Sequence, residues 1–155
     1  MTQVFIDKPP VTLLGFDFGT KRTGVATGQT VTGSVSALTT LTALNNKPNW
    51  PEISSLIDEW QPDLLIVGLP LNMDGSDTEI TPTVRRFGNQ LKGRYNLPVE
   101  MVDERLSSVE ARSRLHADES LRHKRFDREQ VDQIAAQIIV QSWMTQQHQE
   151  TGEPD

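Results

Sequence analysis

The sequence of 155 residues contains no cysteine. This absence excludes a disulfide framework, a zinc site built from thiolates and a cysteine nucleophile, and it is typical of the reducing cytoplasm, where we expect the protein to act. The chain also lacks any run of about 18 apolar residues, so no membrane-spanning helix is predicted. Its first residues have no basic segment followed by a long apolar one, and we therefore expect no secretory signal.

The sequence also has no excess of positive charge. It contains 15 Lys and Arg and 21 Asp and Glu, which give a formal net charge of −6. This balance argues against a protein that coats nucleic acid without specificity, since phosphate affinity comes mainly from clustered Lys and Arg. The charge is nevertheless uneven, because segment 105–128 holds seven basic residues and four acids. A local contact with phosphate is therefore compatible with the acidic total.

The apolar residues are numerous enough for one packed core. Leu, Ile, Val and Phe make up about a quarter of the chain, above the level of roughly 20% below which disorder is expected. The length fits one domain of about 100–200 residues, and no repeat or long linker divides it. We predict a single domain over residues 11–147, between a flexible N-terminal tail, 1–10, and a flexible acidic C-terminal tail, 148–155.

The hydrophobic pattern changes its period along the chain. Three strand candidates come first, with connections too short for a crossover helix, which predicts antiparallel pairing. Helices then alternate with short apolar strands, which predicts parallel strands. The predicted fold class is α/β, a mixed five-stranded sheet of three antiparallel strands and then parallel strands, flanked by helices. The predicted strands are 12–18, 23–28, 33–41, 64–67 and 98–102, and the predicted helices are 50–61, 83–94, one from the capping box at 107–110, and 128–147.

Three carboxylates stand where predicted elements begin or end. Asp17 is the only charge in the first strand, where a carboxylate is costly unless it is paired or bound to a cation. Asp103 and Glu104 end the last strand and point to opposite faces, and we favour Glu104 as the neighbour of Asp17, with Asp103 held by nearby donors. Asp132 lies near the start of the last helix, on the side that carries two alanines, which allow a close approach to the sheet.

Each of these acids alone has an ordinary explanation: a turn, a solvated strand end, or a helix N-terminus. Their combination is more specific, since like charges held close together raise one another's pKa and a divalent cation keeps them ionised. Oxygen ligands without Cys or a suitable His pair favour Mg²⁺ or Mn²⁺. Such a site suits hydrolysis of a phosphodiester.

Four segments resemble the bacterial YqgF family, whose members are described as pre-16S rRNA nucleases and Holliday-junction-resolvase-like proteins. These segments occur in the order of the family and together span about residues 12–145. They are GFDFGTKRTGVA at 15–26, IVGLPLNMDG at 66–75, VDERLSSVEA at 102–111 and DQIAA at 132–136.

The resemblance implies a ribonuclease-H-like fold, with Asp17, Glu104 and Asp132 as the metal-binding and catalytic acids. We expect two Mg²⁺ (or Mn²⁺) ions, with Asp17 bridging them and the other two acids each holding one. The expected activity is processing of the 5′ end of precursor 16S ribosomal RNA, so the expected partner is nucleic acid.

Four further side chains are candidate substrate contacts: Lys21, Arg22, Asn72 and Arg105. Each is close in sequence to a predicted acid or to the loop after Gly68, although such residues are often simply solvated. Glu129, one turn before Asp132, is either a fourth metal ligand or an ordinary acid at a helix start.

Three other functions stay open at this point. A structure-selective resolvase of DNA junctions would use the same acids and would need a homodimer, and both a monomer and a homodimer are compatible with the sequence. A nucleotide-binding module is a second alternative, because Asp17-Phe18-Gly19-Thr20 also resembles the phosphate-binding turn of the actin and sugar-kinase fold. A catalytically silent module that binds RNA or a ribosome-assembly factor is the third.

Overall fold

The computed structural model describes residues 11–106 and 127–151. The helix predicted from the capping box at 107–110, most of the basic segment 105–128 and the predicted N-terminal tail lie outside these residues. The strands are β1, Thr12–Asp17; β2, Arg22–Gln29; β3, Ser34–Thr42; β4, Leu64–Leu69; and β5, Val99–Asp103. The helices are α1, Trp50–Trp60; α2, Thr81–Tyr95; and α3, Arg128–Thr151, with a short 3₁₀ helix, Glu104–Leu106, after β5.

The five strands form one mixed sheet in the order β3-β2-β1-β4-β5. β1, β2 and β3 pair antiparallel, β4 pairs parallel with β1, and β5 pairs parallel with β4. The predicted α/β class with its mixed five-stranded sheet is therefore confirmed. The parallel arrangement brings the carboxyl ends of β1, β4 and β5 to the same edge of the sheet, where ligand sites of such sheets collect.

Each face of the sheet carries its own hydrophobic core, because successive residues of a strand point to opposite sides. Leu14, Phe16 and Val67 face α1 and α2, whereas Leu13 and Ile66 face α3, and all five side chains are fully buried. The central strands β1 and β4 are thus covered on both faces, as their apolar sequences predict. Asp17 continues the side of β1 that faces α3.

The helix boundaries differ from the predicted ones by a few residues. α1 has Asn49 as its N-cap, whose side chain accepts a hydrogen bond from the Glu52 N–H at 3.2 Å. α2 starts at Thr81 rather than at residue 83, where the Thr81 hydroxyl donates to the Pro70 carbonyl at 2.6 Å. α3 continues to Thr151, beyond the predicted end at residue 147. Within the described residues, no helix combines the length and the apolar character needed to span a bilayer.

Trp143 ties α3 to the edge strand β5. Its buried indole N–H donates to the Glu100 carboxylate at 2.7 Å. We expect Trp143→Phe to lower the free energy of unfolding by about 1–3 kcal/mol, because both this hydrogen bond and part of the packed ring are lost. Urea denaturation measures the difference. Glu100→Gln, which keeps an acceptor oxygen, is the matched control, and a loss as large as that of Trp143→Phe would contradict a role for packing.

Candidate active site

Asp17 ends β1 between two glycines of the neighbouring strands. It pairs with Gly24 of β2, and the parallel register that pairs Phe16 with Val67 brings Gly68 of β4 to its other side. Neither glycine has a side chain to cover the carboxylate. Two gaps in the surface of the sheet therefore flank Asp17 on the face that carries α3.

The gap at Gly68 is filled by Glu104. A Cβ atom added to Gly68 would overlap the Oε2 atom of Glu104 and the side chain of Ile139 from α3. Glu104 begins the 3₁₀ helix directly after β5. Its carboxylate therefore folds back across the end of the sheet and lies over β4, next to Asp17.

The gap at Gly24 is filled by the first turns of α3. A Cβ atom added to Gly24 would overlap the backbone carbonyl oxygen of Asp132 and lie at 3.0 Å from its Cβ atom. Helix and strand are thus in backbone contact here, which requires glycine in the strand. Asp132 is held on the other side of Asp17 from Glu104.

The electrostatics of Asp17 reflect this arrangement. Burial raises the pKa of its carboxyl from 3.8 to about 7, with the nearby charges of Glu104 and then Asp132 as further causes. Both neighbours are therefore close enough to repel a charge on Asp17. The structure brings the three predicted acids together around the end of β1, and the charges that it describes as acting on Asp17 are both negative.

The three acids fit a hard divalent cation by their chemistry, because all the donors are carboxylate oxygens and a cation would lower the pKa of Asp17. Their present positions are more open than a metal site. In residues 11–106 and 127–151, no group of three or more His, Cys, Asp or Glu is close enough to hold an ion. The Asp132 Oδ2 atom instead accepts a hydrogen bond from Arg22 Nε at 2.7 Å. Arg22 therefore engages one oxygen of the Asp132 carboxylate.

Arg22 was predicted as a substrate contact, and the structure places it as the ion-pair partner of Asp132. The residues are 110 positions apart, so no local pattern could have predicted this pair. The glycines are different, because Gly inside a strand marks a close approach of another backbone, and Gly24 and Gly68 carried that signal in the sequence.

Asp103 points away from this group and pairs with Arg105. The guanidinium donates to both carboxylate oxygens, with the shortest contact at 2.6 Å, and this holds the pKa of Asp103 below its usual range. Arg105 also donates to the Met73 carbonyl at 3.2 Å. Arg105, predicted as a substrate contact, therefore links the end of β5 to the loop after β4.

The remaining predicted residues lie around the three acids without joining them. Asn72 holds its own loop together, because its side-chain amide donates to Ser76 Oγ and to the Asp77 carbonyl, both at 3.0 Å. Lys21 is exposed in the turn between β1 and β2. Glu129 is exposed in the first turn of α3 and is not among the carboxylates that raise the pKa of Asp17.

Residues 11–146 match the family RuvX, described as a Holliday junction resolvase. The chain belongs to the RuvX family. This is the family that the sequence motifs identify as YqgF. Its description is that of a nuclease, so the predicted enzyme class, a hydrolase of phosphodiester bonds, is the class of the family.

Curated relatives of this RuvX-family chain cover most of its length. A protein of Nitrosococcus oceani is 55% identical over 138 residues, which are 89% of this chain and 89% of the relative. A protein of Pectobacterium atrosepticum is 50% identical over 88% of this chain and 97% of its own length. One from Aeromonas salmonicida is 49% identical over 88% of this chain and 96% of its own. All three are named "Putative pre-16S rRNA nuclease".

Solved structures share the fold at low sequence identity. RuvC of T. thermophilus, in complex with a Holliday junction substrate, superposes with a TM-score of 0.54 at 9% identity, covering 92% of this chain and 96% of RuvC. The yeast mitochondrial Holliday junction resolvase Ydc2 gives 0.57 at 13% identity, covering 96% of this chain and 85% of Ydc2. The predicted ribonuclease-H-like fold is confirmed.

Proposed function

We propose that this RuvX-family protein is a metal-dependent nuclease that processes the 5′ end of precursor 16S ribosomal RNA. The observation that carries the proposal is the meeting of Asp17, Glu104 and Asp132 from three separate elements, with Asp17 raised in pKa by its burial and by the other two. The names of relatives about 50% identical to this chain support ribosomal RNA as the substrate.

Asp17, Glu104 and Asp132 would hold Mg²⁺ or Mn²⁺, which when bound supplies Lewis acidity at a phosphodiester and lowers the pKa of water. The protein's part is to fix the carboxylates on a rigid sheet and helix. Asp17 is anchored at the buried end of β1, and the glycines beside it let the other two acids approach. Arg22 holds the Asp132 carboxylate in place through the ion pair at 2.7 Å.

A DNA junction resolvase is the second candidate, because the matched family carries that description. It would use the same acids, but it has to cut two strands of one junction and therefore needs two copies of the site. A homodimer is then required, whereas trimming of a ribosomal RNA end requires only one copy. Light scattering of the purified protein, with and without a junction, separates these two requirements.

The deciding experiment compares cleavage of a 5′-extended 16S RNA fragment with cleavage of a four-way DNA junction. The reactions contain Mg²⁺, Mn²⁺ or EDTA. We expect cleavage of the RNA extension with either metal and none in EDTA. Asp58→Asn, which changes an exposed acid on α1, is the control that should cut like the wild type. Preferential cleavage of the junction would establish the resolvase instead, and failure to cut either substrate would favour a non-catalytic binding module.

A further inference from the structure

A cavity of about 370 Å³ opens beside the end of β1, and its lining belongs to the face of the sheet that carries α1 and α2. Its lining includes three basic side chains, Lys47, Arg86 and Arg94, together with the aromatic rings of Trp50 and Phe87. We call this cavity the arginine pocket. Among the described residues that line it, none is acidic. A pocket of this size accommodates a nucleotide-sized ligand.

The cations of the arginine pocket lack counter-ions within residues 11–106 and 127–151. The arginines of the three described salt bridges lie elsewhere, since Arg22, Arg85 and Arg105 each hold an aspartate. Arg85 and Arg86 are neighbours on α2, and only Arg86 lines the pocket. Unpaired cations around one concave surface attract an anion, and arginine is well suited to phosphate.

Arg94 stacks on an aromatic side chain of the pocket. Its guanidinium carbon lies 4.0 Å from the centre of the Trp50 ring, and the Trp50 ring in turn stacks on Phe87 at 5.8 Å. A stacked guanidinium keeps its N–H donors available at the edge. The same pocket offers aromatic surface together with the polar side chains of Thr20 and Gln90. Apolar surface, hydrogen-bonding groups and positive charge together fit a nucleotide better than inorganic phosphate alone.

The arginine pocket lies next to the active site, across the turn that follows β1. Phe18, Gly19 and Thr20 line the pocket, and they directly follow Asp17. Three residues of chain span at most about 11 Å, so the wall of the pocket is within a few nucleotides of a strand held at the acids. A base in a duplex cannot enter such a pocket, whereas an unpaired base can.

We propose that the arginine pocket binds an unpaired nucleotide of the substrate strand, a few positions from the phosphodiester held at Asp17, Glu104 and Asp132. This inference rests on the proposed nuclease function and extends it, because it makes a single-stranded segment beside the cleavage site part of what the protein recognises. Arg86 and Lys47 contact the phosphate, and the stacked guanidinium of Arg94 contacts the base or its phosphate.

The test measures binding without cleavage. A labelled single-stranded RNA of about 12 nucleotides is titrated with the full chain in EDTA, and fluorescence anisotropy is recorded at several salt concentrations. We expect Arg86→Ala to weaken binding about tenfold and to reduce the salt slope by about 0.7, the value for one lost phosphate contact with a single strand. Arg85→Ala, the adjacent arginine that pairs with Asp77, should change the affinity less than about twofold, since rim charges contribute little.

A second arm uses adenosine monophosphate as the probe, because a free nucleotide carries the same chemistry as a nucleotide in a strand. We expect it to compete with the RNA only at concentrations far above those of the RNA itself. Equal RNA affinity and equal salt slope for wild type and Arg86→Ala would overturn the proposal. So would an effect of Arg86→Ala on the mononucleotide alone.

The outcome is separable from that of the proposed nuclease function. Arg86-dependent binding of single-stranded RNA by a protein that cuts no RNA would support the pocket and reject the nuclease. If the protein cuts precursor RNA but Arg86→Ala binds RNA as tightly as the wild type, the nuclease function is supported and the role of the pocket is rejected.

Discussion

Asp17→Asn is expected to unfold at higher urea concentration than the wild type above pH 7, while it loses cleavage of nucleic acid completely. The folded protein has a pKa of about 7 at Asp17 in place of 3.8. It therefore binds the proton more tightly than the unfolded chain, and stability falls as the pH rises from about 4 to about 7. A difference of about three pKa units corresponds to at most about 4 kcal/mol. Asn has a similar shape and avoids this cost.

The measurement is urea denaturation between pH 5 and pH 8 in EDTA, beside a cleavage assay with Mg²⁺. The advantage of Asp17→Asn over the wild type should be clearly smaller at pH 5 than at pH 8 and should reach its full size above pH 7. Asp58→Asn, the exposed control, should show no such pH dependence. If Asp17→Asn and the wild type unfold at the same urea concentration at pH 8, the charged carboxylate of Asp17 does not destabilise the folded state.

A comparison of the wild type with Asp17→Asn also distinguishes a metal-binding catalytic site from a non-catalytic RNA-binding module. A cation bound at the three acids stabilises the folded state by an amount that grows with the logarithm of its concentration once this exceeds the dissociation constant. Added Mg²⁺ should therefore raise the unfolding midpoint of the wild type and leave that of Asp17→Asn unchanged. A non-catalytic module that binds RNA by other residues has no reason to show this difference.

The sheet was predictable because its signals are local. The apolar run of β4 and the short turn between β1 and β2 each specify a strand arrangement without knowledge of the rest of the chain. The ends of β1 and β5 then place Asp17 and Glu104 at one edge of the sheet. Placement of Asp132 beside them needed only a helix that packs on the same face, which its two alanines favoured.

The contacts around the acids were harder to predict, since they depend on register between distant elements. Arg22 looks like a solvated hairpin residue until the start of α3 is placed above β2. The arginine pocket combines residues from the β1–β2 turn, the start of α1 and α2. No spacing in the sequence connects these segments. The charge partners at the site therefore depend on tertiary packing. The positions of the acids follow from the ends of strands and helices, which the sequence pattern predicts.

The close contact between β2 and α3 gives the other large expected effect. Gly24→Ala places a methyl group against the backbone carbonyl of Asp132. Because the overlapping atom belongs to helix backbone, it cannot rotate away, and α3 has to shift. We expect a loss of about 3 kcal/mol in the free energy of unfolding, at the upper end of overpacking costs. Cleavage should fall about a hundredfold, since a shift of about 1 Å misplaces the carboxylate of Asp132.

Two other glycines make this prediction specific. Among the described residues, no atom beyond the backbone of α2 itself and the two adjacent residues lies within 4 Å of a Cβ added at Gly93. Gly93→Ala should therefore leave cleavage unchanged and raise stability by about 0.5–1 kcal/mol through helix propensity. At Gly68 the added methyl group would meet the Oε2 atom of Glu104 and the side chain of Ile139, which are side-chain atoms and not backbone. Gly68→Ala should therefore cost less stability than Gly24→Ala and yet impair cleavage, because it pushes Glu104 away from Asp17. If Gly24→Ala and Gly93→Ala behave alike in urea denaturation and in cleavage, the backbone contact that holds Asp132 beside Asp17 does not exist.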